Sequence, residues 1–175
     1  MKVLNIKSLI TIILGSLLLA SCTSITAENE KLAIAKLNDR AAAQLPVENM
    51  EKGRTYLSVY SHIYTNSQHR IHELTATISL RNVNLEDTIY IAKADFYNTE
   101  GQLIKRFLDH AIFIAPMETF EMVIEETDNS GGSGANFIFD WLKNQSSADP
   151  LFEGVMISTT GQQGLSFTTQ GKRIN

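Results

Sequence analysis

The chain has one cysteine, one tryptophan and three prolines in 175 residues, and no aromatic residue before Tyr56. A lone cysteine, Cys22, excludes an intramolecular disulfide. Basic residues are also few, fifteen Lys and Arg against nineteen Asp and Glu, with a net charge of −4. Gripping a phosphate backbone needs clustered Lys and Arg, and none is present, so nucleic acid is excluded as a partner. The longest apolar run, Ser8 to Ala20, falls short of the roughly 20 residues a membrane-spanning helix requires.

What is present at the start of the chain explains both the lone cysteine and the short apolar run. Lys2 and Lys7 precede that run, which closes on Leu19-Ala20-Ser21-Cys22. The pattern is a secretory signal over residues 1–21 ending in a lipobox, whose cysteine is acylated before cleavage on its N-terminal side. Cys22 is therefore the expected lipidation site, and a lipid membrane the expected partner. Thr23, where an aspartate resembles the inner-membrane retention signal, favours the outer membrane, with the protein facing the periplasm. Loss of Lys2 and Lys7 takes the net charge from −4 to −6.

All five tyrosines, all eight phenylalanines and Trp141 follow Gly53. This compositional step divides the chain into a polar, alanine-rich spacer over residues 22–53, with a helical turn or two between Glu28 and Ala43, and a single domain over 54–175. Apolar residues in the domain recur with period two, the strand signature. In "HELTATISLRN", Leu74, Ala76, Ile78 and Leu80 alternate with Thr75, Thr77, Ser79 and Arg81. "TYLSVYSHIY" alternates likewise, placing Tyr56, Tyr60 and Tyr64 on one face as an aromatic ladder. "TIYIAKADFYN" and "QLIKRFL", joined at "NTEG", read as a hairpin, and Pro116 marks an edge or a crossing between sheets. "ANFIFDWL", "FEGVMISTT" and "LSFTT", the last two separated by a turn at Gly161–Gly164, bring the count to eight or nine short strands. The expected fold is all-β, an immunoglobulin-like two-sheet sandwich following the signal peptide and the spacer.

The segments "VYSHIY", "LTATISLRN", "FYNTEG", "DNSGGSGANF" and "GQQGLSF" resemble, in that order, an uncharacterised family of bacterial exported proteins known as a domain of unknown function. The resemblance rests most on Ser130 to Phe137. It implies export and an immunoglobulin-like fold, and no established activity.

The sharpest local feature is "EETDNSGGSGANF". It is not a phosphate loop, because Ala135-Asn136-Phe137 follows Gly134 where Lys-Ser or Lys-Thr is required, and Phe137 holds the place of the third glycine in the dinucleotide fingerprint. Two readings stay open. In one, Glu125, Glu126, Asp128 and Asn129 offer hard oxygen donors to a cation, calcium by preference, with Asp109 or Asp140 approaching from neighbouring segments. In the other, Gly131, Gly132 and Gly134 form a structural turn whose backbone is bonded by Asp128, Asn129 and Ser130. A serine hydrolase built from Ser130 or Ser133 with His110 and Asp109 lacks the elbow glycine, since Ala135 stands two positions after Ser133. His62 and His72 offer a weaker copper or zinc set. No cofactor is expected, with calcium as the alternative. The function expected is a non-enzymatic binding or structural interaction module of the cell envelope, alternatively calcium-stabilised, alternatively a small serine hydrolase.

Overall fold

The computed structural model describes residues 37–42, Leu45, 48–159 and 164–175. The signal segment 1–21, Cys22 and most of the turn that begins at Gly161 lie outside the described residues. Met1–Arg40 and Ala41–Asn175 are separate compact units. Within the first, the described part is a helical turn in which Arg40 N donates to Leu37 O at 3.1 Å.

The second unit is built of strands: β1 (Met50–Val59), β2 (His62–Tyr64), β3 (Ile71–Glu73), β4 (Thr75–Arg81), β5 (Ile89–Tyr97), β6 (Leu103–Arg106), β7 (Ile112–Ile114), β8 (Thr119–Ile124), β9 (Ala135–Asn144), β10 (Leu151–Ser158), β11 (Leu165–Gln170) and β12 (Lys172–Arg173). One sheet has the order β12-β1-β9-β5-β6, with β7 also on β5. The other runs β11-β10-β4-β8, and β2 and β3 form a small ribbon. Every pairing is antiparallel. The all-β two-sheet sandwich expected from the alternation is the fold the chain adopts, immunoglobulin-like in setting two antiparallel sheets face to face. β1 begins at Met50, ahead of Arg54.

Alternation decides which side chains form the core. Leu74, Ala76, Ile78 and Leu80 are all fully buried, while Thr75, Thr77 and Arg81 keep contact with water. Between the sheets, Phe96, Phe137, Phe139 and Phe152 stack in sequence with centroid separations of 4.9, 5.3 and 4.5 Å. Because Phe139 belongs to β9 and Phe152 to β10, the last contact joins the layers, each such pair adding about 0.5–1.5 kcal/mol beyond area burial. Trp141 is buried and its Nε1 donates to Thr55 Oγ1 at 2.9 Å.

The expected crossing at Pro116 is present, since β7 pairs in the six-stranded sheet and β8 in the four-stranded one. Asn82, buried at this corner, donates through Nδ2 to the carbonyls of Asp87, Ile114 and Ala115. Positive φ falls where "NTEG" required it, at Gly101 (77°).

One expectation is corrected. Tyr56, Tyr60 and Tyr64 do not share a face, because β1 ends at Val59 and Tyr64 belongs to the β2–β3 ribbon. The break comes at Ser61, whose N donates to Gly132 O at 3.0 Å and whose O accepts from Leu74 N at 2.9 Å, so the chain bends to meet the glycine loop. Tyr60 instead packs edge-on against Phe167 of β11, and Tyr64 edge-on against His62.

Candidate functional site

Between β8 and β9 the acidic, glycine-rich stretch forms a short 3₁₀ segment, Asn129–Gly134, capped by Asp128. Gly131 is buried, and a Cβ on it would stand 2.7 Å from Phe96 Cζ and 2.8 Å from Ser61 Oγ. Gly132 has φ 76°, a left-handed conformation costly to any residue with a Cβ. A Cβ on Gly134 would stand 3.2 Å from Thr99 Cγ2. The loop bonds to two distant turns: Gly132 O accepts from Ser61 N, and Gly131 O accepts from Thr99 N at 3.1 Å. Thr99 Oγ1 also accepts from Gly134 N at 2.9 Å. The glycines thus let three strand connections close on one another.

The oxygen donors nominated for a cation are dispersed or engaged. Asp128 Oδ1 accepts from Ser130 N and Ser130 Oγ at 3.1 and 2.5 Å. Asn129 turns its Nδ2 to Glu73 Oε1 at 2.7 Å. Glu125 and Asp128 line a small hollow together with Lys105, which brings an ammonium rather than a further carboxylate. Glu126 sits half-buried in the adjoining turn. Asp109 pairs with His110 Nδ1 at 2.5 Å, and Asp140 lies on β9, paired with Arg54. Among the described residues no three His, Cys, Asp or Glu side chains gather as a metal set, His62 and His72 included. The hydroxyl of Ser130 is likewise committed to Asp128, not to His110. Cys22 lies outside the described residues.

The most organised polar surface, which sequence reasoning missed, is the outer face of the six-stranded sheet. Arg54 and Asp140 are direct cross-strand partners on β1 and β9. The guanidinium grips the carboxylate with two bonds, Nε to Oδ1 at 2.5 Å and Nη2 to Oδ2 at 2.8 Å. This bidentate contact holds the Arg54 proton more firmly than in a free arginine. On β5 a bulge at Ala92 shifts the register between Ile91 and Lys93, so Ile91 faces Trp141 in the core while Lys93 faces Asp140 outside. Lys93 Nζ then pairs with Asp95 Oδ2 at 2.8 Å, which raises the ammonium's pKa, and the Tyr97 hydroxyl donates to the same oxygen at 3.4 Å. Asp95 is buried, and its Oδ1 has no hydrogen-bond partner among the described residues.

Beside these pairs a cavity of about 330 Å³ opens on the same face, bounded by Leu45, Ala92 and Leu142 and by Lys52, Arg54 and Asp140. Apolar walls with one fixed ion pair at the margin suit a small amphipathic group, whose polar end meets the guanidinium and carboxylate. The described residues lining it include no histidine, serine or cysteine to act as nucleophile. The parity change that creates the site is visible in "IYIAKADF", where apolar residues move from odd positions (Ile89, Ile91) to even ones (Ala94, Phe96). The pairing of Arg54 with Asp140 has no local signal, since the two are 86 residues apart.

At the far end of this sheet Lys143, almost fully buried, is ringed by Glu51 Oε2 at 2.8 Å, Ser147 O at 2.7 Å and Asp149 Oδ1 at 3.6 Å. Arg173 completes the ring by bonding Glu51 at 2.7 Å and Asp149 at 3.0 Å, its guanidinium 5.0 Å above the Trp141 ring. The Lys143 and Arg173 cations hold the Glu51 carboxyl below the usual carboxylate range.

Residues 52–174 match a family described as "Protein of unknown function (DUF3124)". Among solved structures, one titled "Crystal Structure of Thermotoga maritima 1070" is similar with a TM-score of 0.44 at 9% identity, covering 69% of this chain and 92% of that one. The comparison with curated proteins gives no match.

Proposed function

This chain belongs to the DUF3124 family, whose description states no activity, and from its own residues we propose that it is a lipid-anchored, extracytoplasmic, non-catalytic binding or structural interaction module. The anchor is Cys22, with the outer membrane favoured by Thr23 and the domain held off the bilayer by the segment before β1. The observation that carries the binding role is the outer face of the six-stranded sheet, where the cavity adjoins a fixed ion pair. The committed state of a loop hydroxyl supports the same reading, since the Ser130 hydroxyl is held by Asp128.

Two measurements test this reading. Cys22→Ser moves the protein from the membrane pellet to the soluble fraction; a mutant that still pellets removes the lipid anchor from the proposal. Cross-linking the anchored protein in its envelope captures a partner that is lost on Arg54→Glu and retained on Lys105→Glu, a change on the opposite rim. Equal capture by the two variants would take the binding role away from the cavity face. Hydrolysis of a general ester or peptide substrate that disappears with Ser133→Ala would overturn the non-catalytic assignment.

A further inference from the structure

Sheet edges present outward N–H and C=O groups that template pairing with another strand, and natural edges are guarded by charge, proline or cover. In the six-stranded sheet β12 carries Lys172 and Arg173, β6 carries Lys105 and Arg106, and Ala41 bridges to Ile112 of β7. In the four-stranded sheet β8 contains Glu121, with Pro116 before it and Glu125 after it. The opposite edge strand, β11, reads Leu-Ser-Phe-Thr-Thr-Gln and has neither charge nor proline.

The direction of its free groups follows from the register. Gly171 N donates to Phe152 O at 2.8 Å, one step beyond the paired Gln170 and Glu153. Bonded and non-bonded pairs alternate along an antiparallel ladder. Leu165, Phe167 and Thr169 therefore bond to β10, and the N–H and C=O of Ser166, Thr168 and Gln170 point outward. Those three residues are exposed, and among the described residues no strand pairs on that side. The edge is also held in place, since Thr169 Oγ1 donates to Ser58 O at 2.7 Å and Phe167 packs on Tyr60.

We propose that β11 is a self-association edge, on which a second copy of this chain lays its own β11 antiparallel across a two-fold axis and joins the two four-stranded sheets into one. Two copies with the same net negative charge repel, so a contact between them belongs where charge is absent. β11 meets that condition, as do the outward Thr77, Val155 and Ile157 on the adjoining strands. A two-fold axis perpendicular to the sheet keeps inward side chains opposite inward ones, which centres the pairing on Phe167 or Thr168. A single pair of short strands buries less than the about 1,000 Å² of a stable interface. The association is therefore weak in dilute solution and grows with concentration. It does not depend on the lipid anchor.

The test uses single cysteines in the Cys22→Ser chain, which has no other thiol. Ser166→Cys and Thr168→Cys, alone and mixed, are oxidised at rising protein concentration beside Lys105→Cys on the guarded β6 edge. Opposed bonded residues place Cα atoms ~5.5 Å apart, within disulfide reach. Linked dimer is expected at β11 at least about tenfold faster than at Lys105→Cys, the signature of a raised local concentration. Adding Gln170→Pro to Thr168→Cys, alone or mixed with Ser166→Cys, removes an outward N–H while leaving the β10 ladder intact, and slows linking to the Lys105→Cys rate; Gln170→Lys does the same through charge. Circular dichroism confirms that each variant is folded. Equal rates at all three cysteine positions, or undiminished linking in a folded guard variant, would overturn the proposal.

Discussion

Replacing Gly53 by alanine tests the packing that holds β1 to β9. A glycine in a strand interior is ordinarily less stable than alanine by roughly 0.5–1 kcal/mol, so the substitution should help unless the site forbids it. Here a Cβ would stand 2.1 Å from Trp141 Cζ2, 2.3 Å from Cη2 and 2.6 Å from Cε2, where carbon atoms at rest are about 3.5–4.0 Å apart. The indole lies flat over its cross-strand partner, and only hydrogen fits between. Two responses compete. Expelling the ring forfeits roughly 150–250 Å² of burial, about 4–6 kcal/mol at 25 cal/mol per Å², together with the Thr55 bond. Parting the strands costs what overpacking usually costs, about 1–3 kcal/mol. The second is cheaper, so Gly53→Ala should destabilise by about 1–3 kcal/mol and lower Tm by roughly 3–10 °C. Urea unfolding followed by fluorescence reads this directly, because Trp141 is the only tryptophan, and its folded emission maximum should barely move. In a Trp141→Phe background, followed by circular dichroism, most of the penalty should vanish, giving a coupling of at least about 1 kcal/mol. A Gly53→Ala protein as stable as its parent would refute the packing.

Gly132→Ala should cost more than Gly101→Ala, since both positions have positive φ (76° and 77°) but only the first meets a neighbour, Thr99 Oγ1 at 2.5 Å. At Gly132 the backbone (φ 76°, ψ −160°) alone accounts for about 1–3 kcal/mol, and equal losses in urea titrations would remove both this strain and the contact with Thr99. Glu51 and Asp87 titrate below their ordinary range, Glu51 through Lys143 and Arg173 and Asp87 through Ser147 and Asn144. Depressed folded values mean the stabilisation is whole above the ordinary carboxylate range and is lost as pH falls through the folded values. The urea midpoint should therefore drop on acidification, and less steeply in Glu51→Gln; an unchanged slope would show that the ring does not couple to folding. Calcium or EDTA should leave Tm unmoved, as the oxygens of Asp128 and the amide of Asn129 are already bonded within the chain; a rise of several degrees with calcium would restore a cation to the 125–129 carboxylates.

The sequence made some elements legible and hid others for identifiable reasons. Period-two alternation located β4 within "HELTATISLRN", because Leu74, Ala76, Ile78 and Leu80 are core and Thr75, Thr77 and Arg81 meet water; it did not separate the first residues as β3. It ran β1 on through Tyr64, because nothing local marks Ser61 as the point where the chain turns to bond Gly132. The glycine loop was narrowed to a turn or a cation site from its neighbours, and its ties to Ser61 and Thr99 required the fold. Arg54 carried no mark in the sequence and Asp140 only that of a distant carboxylate for the loop cation; what makes them a site is a register between strands that are distant in the chain. The short β2 merged into β1, and β3 and β12 did not stand out, because two or three residues carry no periodicity; Pro116 marked the step from β7 to β8. Lys143 drew no reading from the sequence, and only the approach of Glu51, Asp149 and Arg173 from three other segments makes its burial tolerable.

The central pairing of β1 with β9 has a consequence for how the chain folds. Arg54 meets Asp140 across 86 intervening positions, and Thr169 reaches Ser58 across 111. A sheet whose middle strands are joined so non-locally closes a large loop before any contact repays the entropy, and such topologies fold in milliseconds to seconds. While β9 is still missing, β1 has no partner, and only the β2–β3, β5–β6, β5–β7 and β4–β8 pairings are available to the chain. For a chain read as exported, that delay is an asset, because a translocation channel threads unfolded polypeptide and the fold completes only once the second half has emerged on the far side.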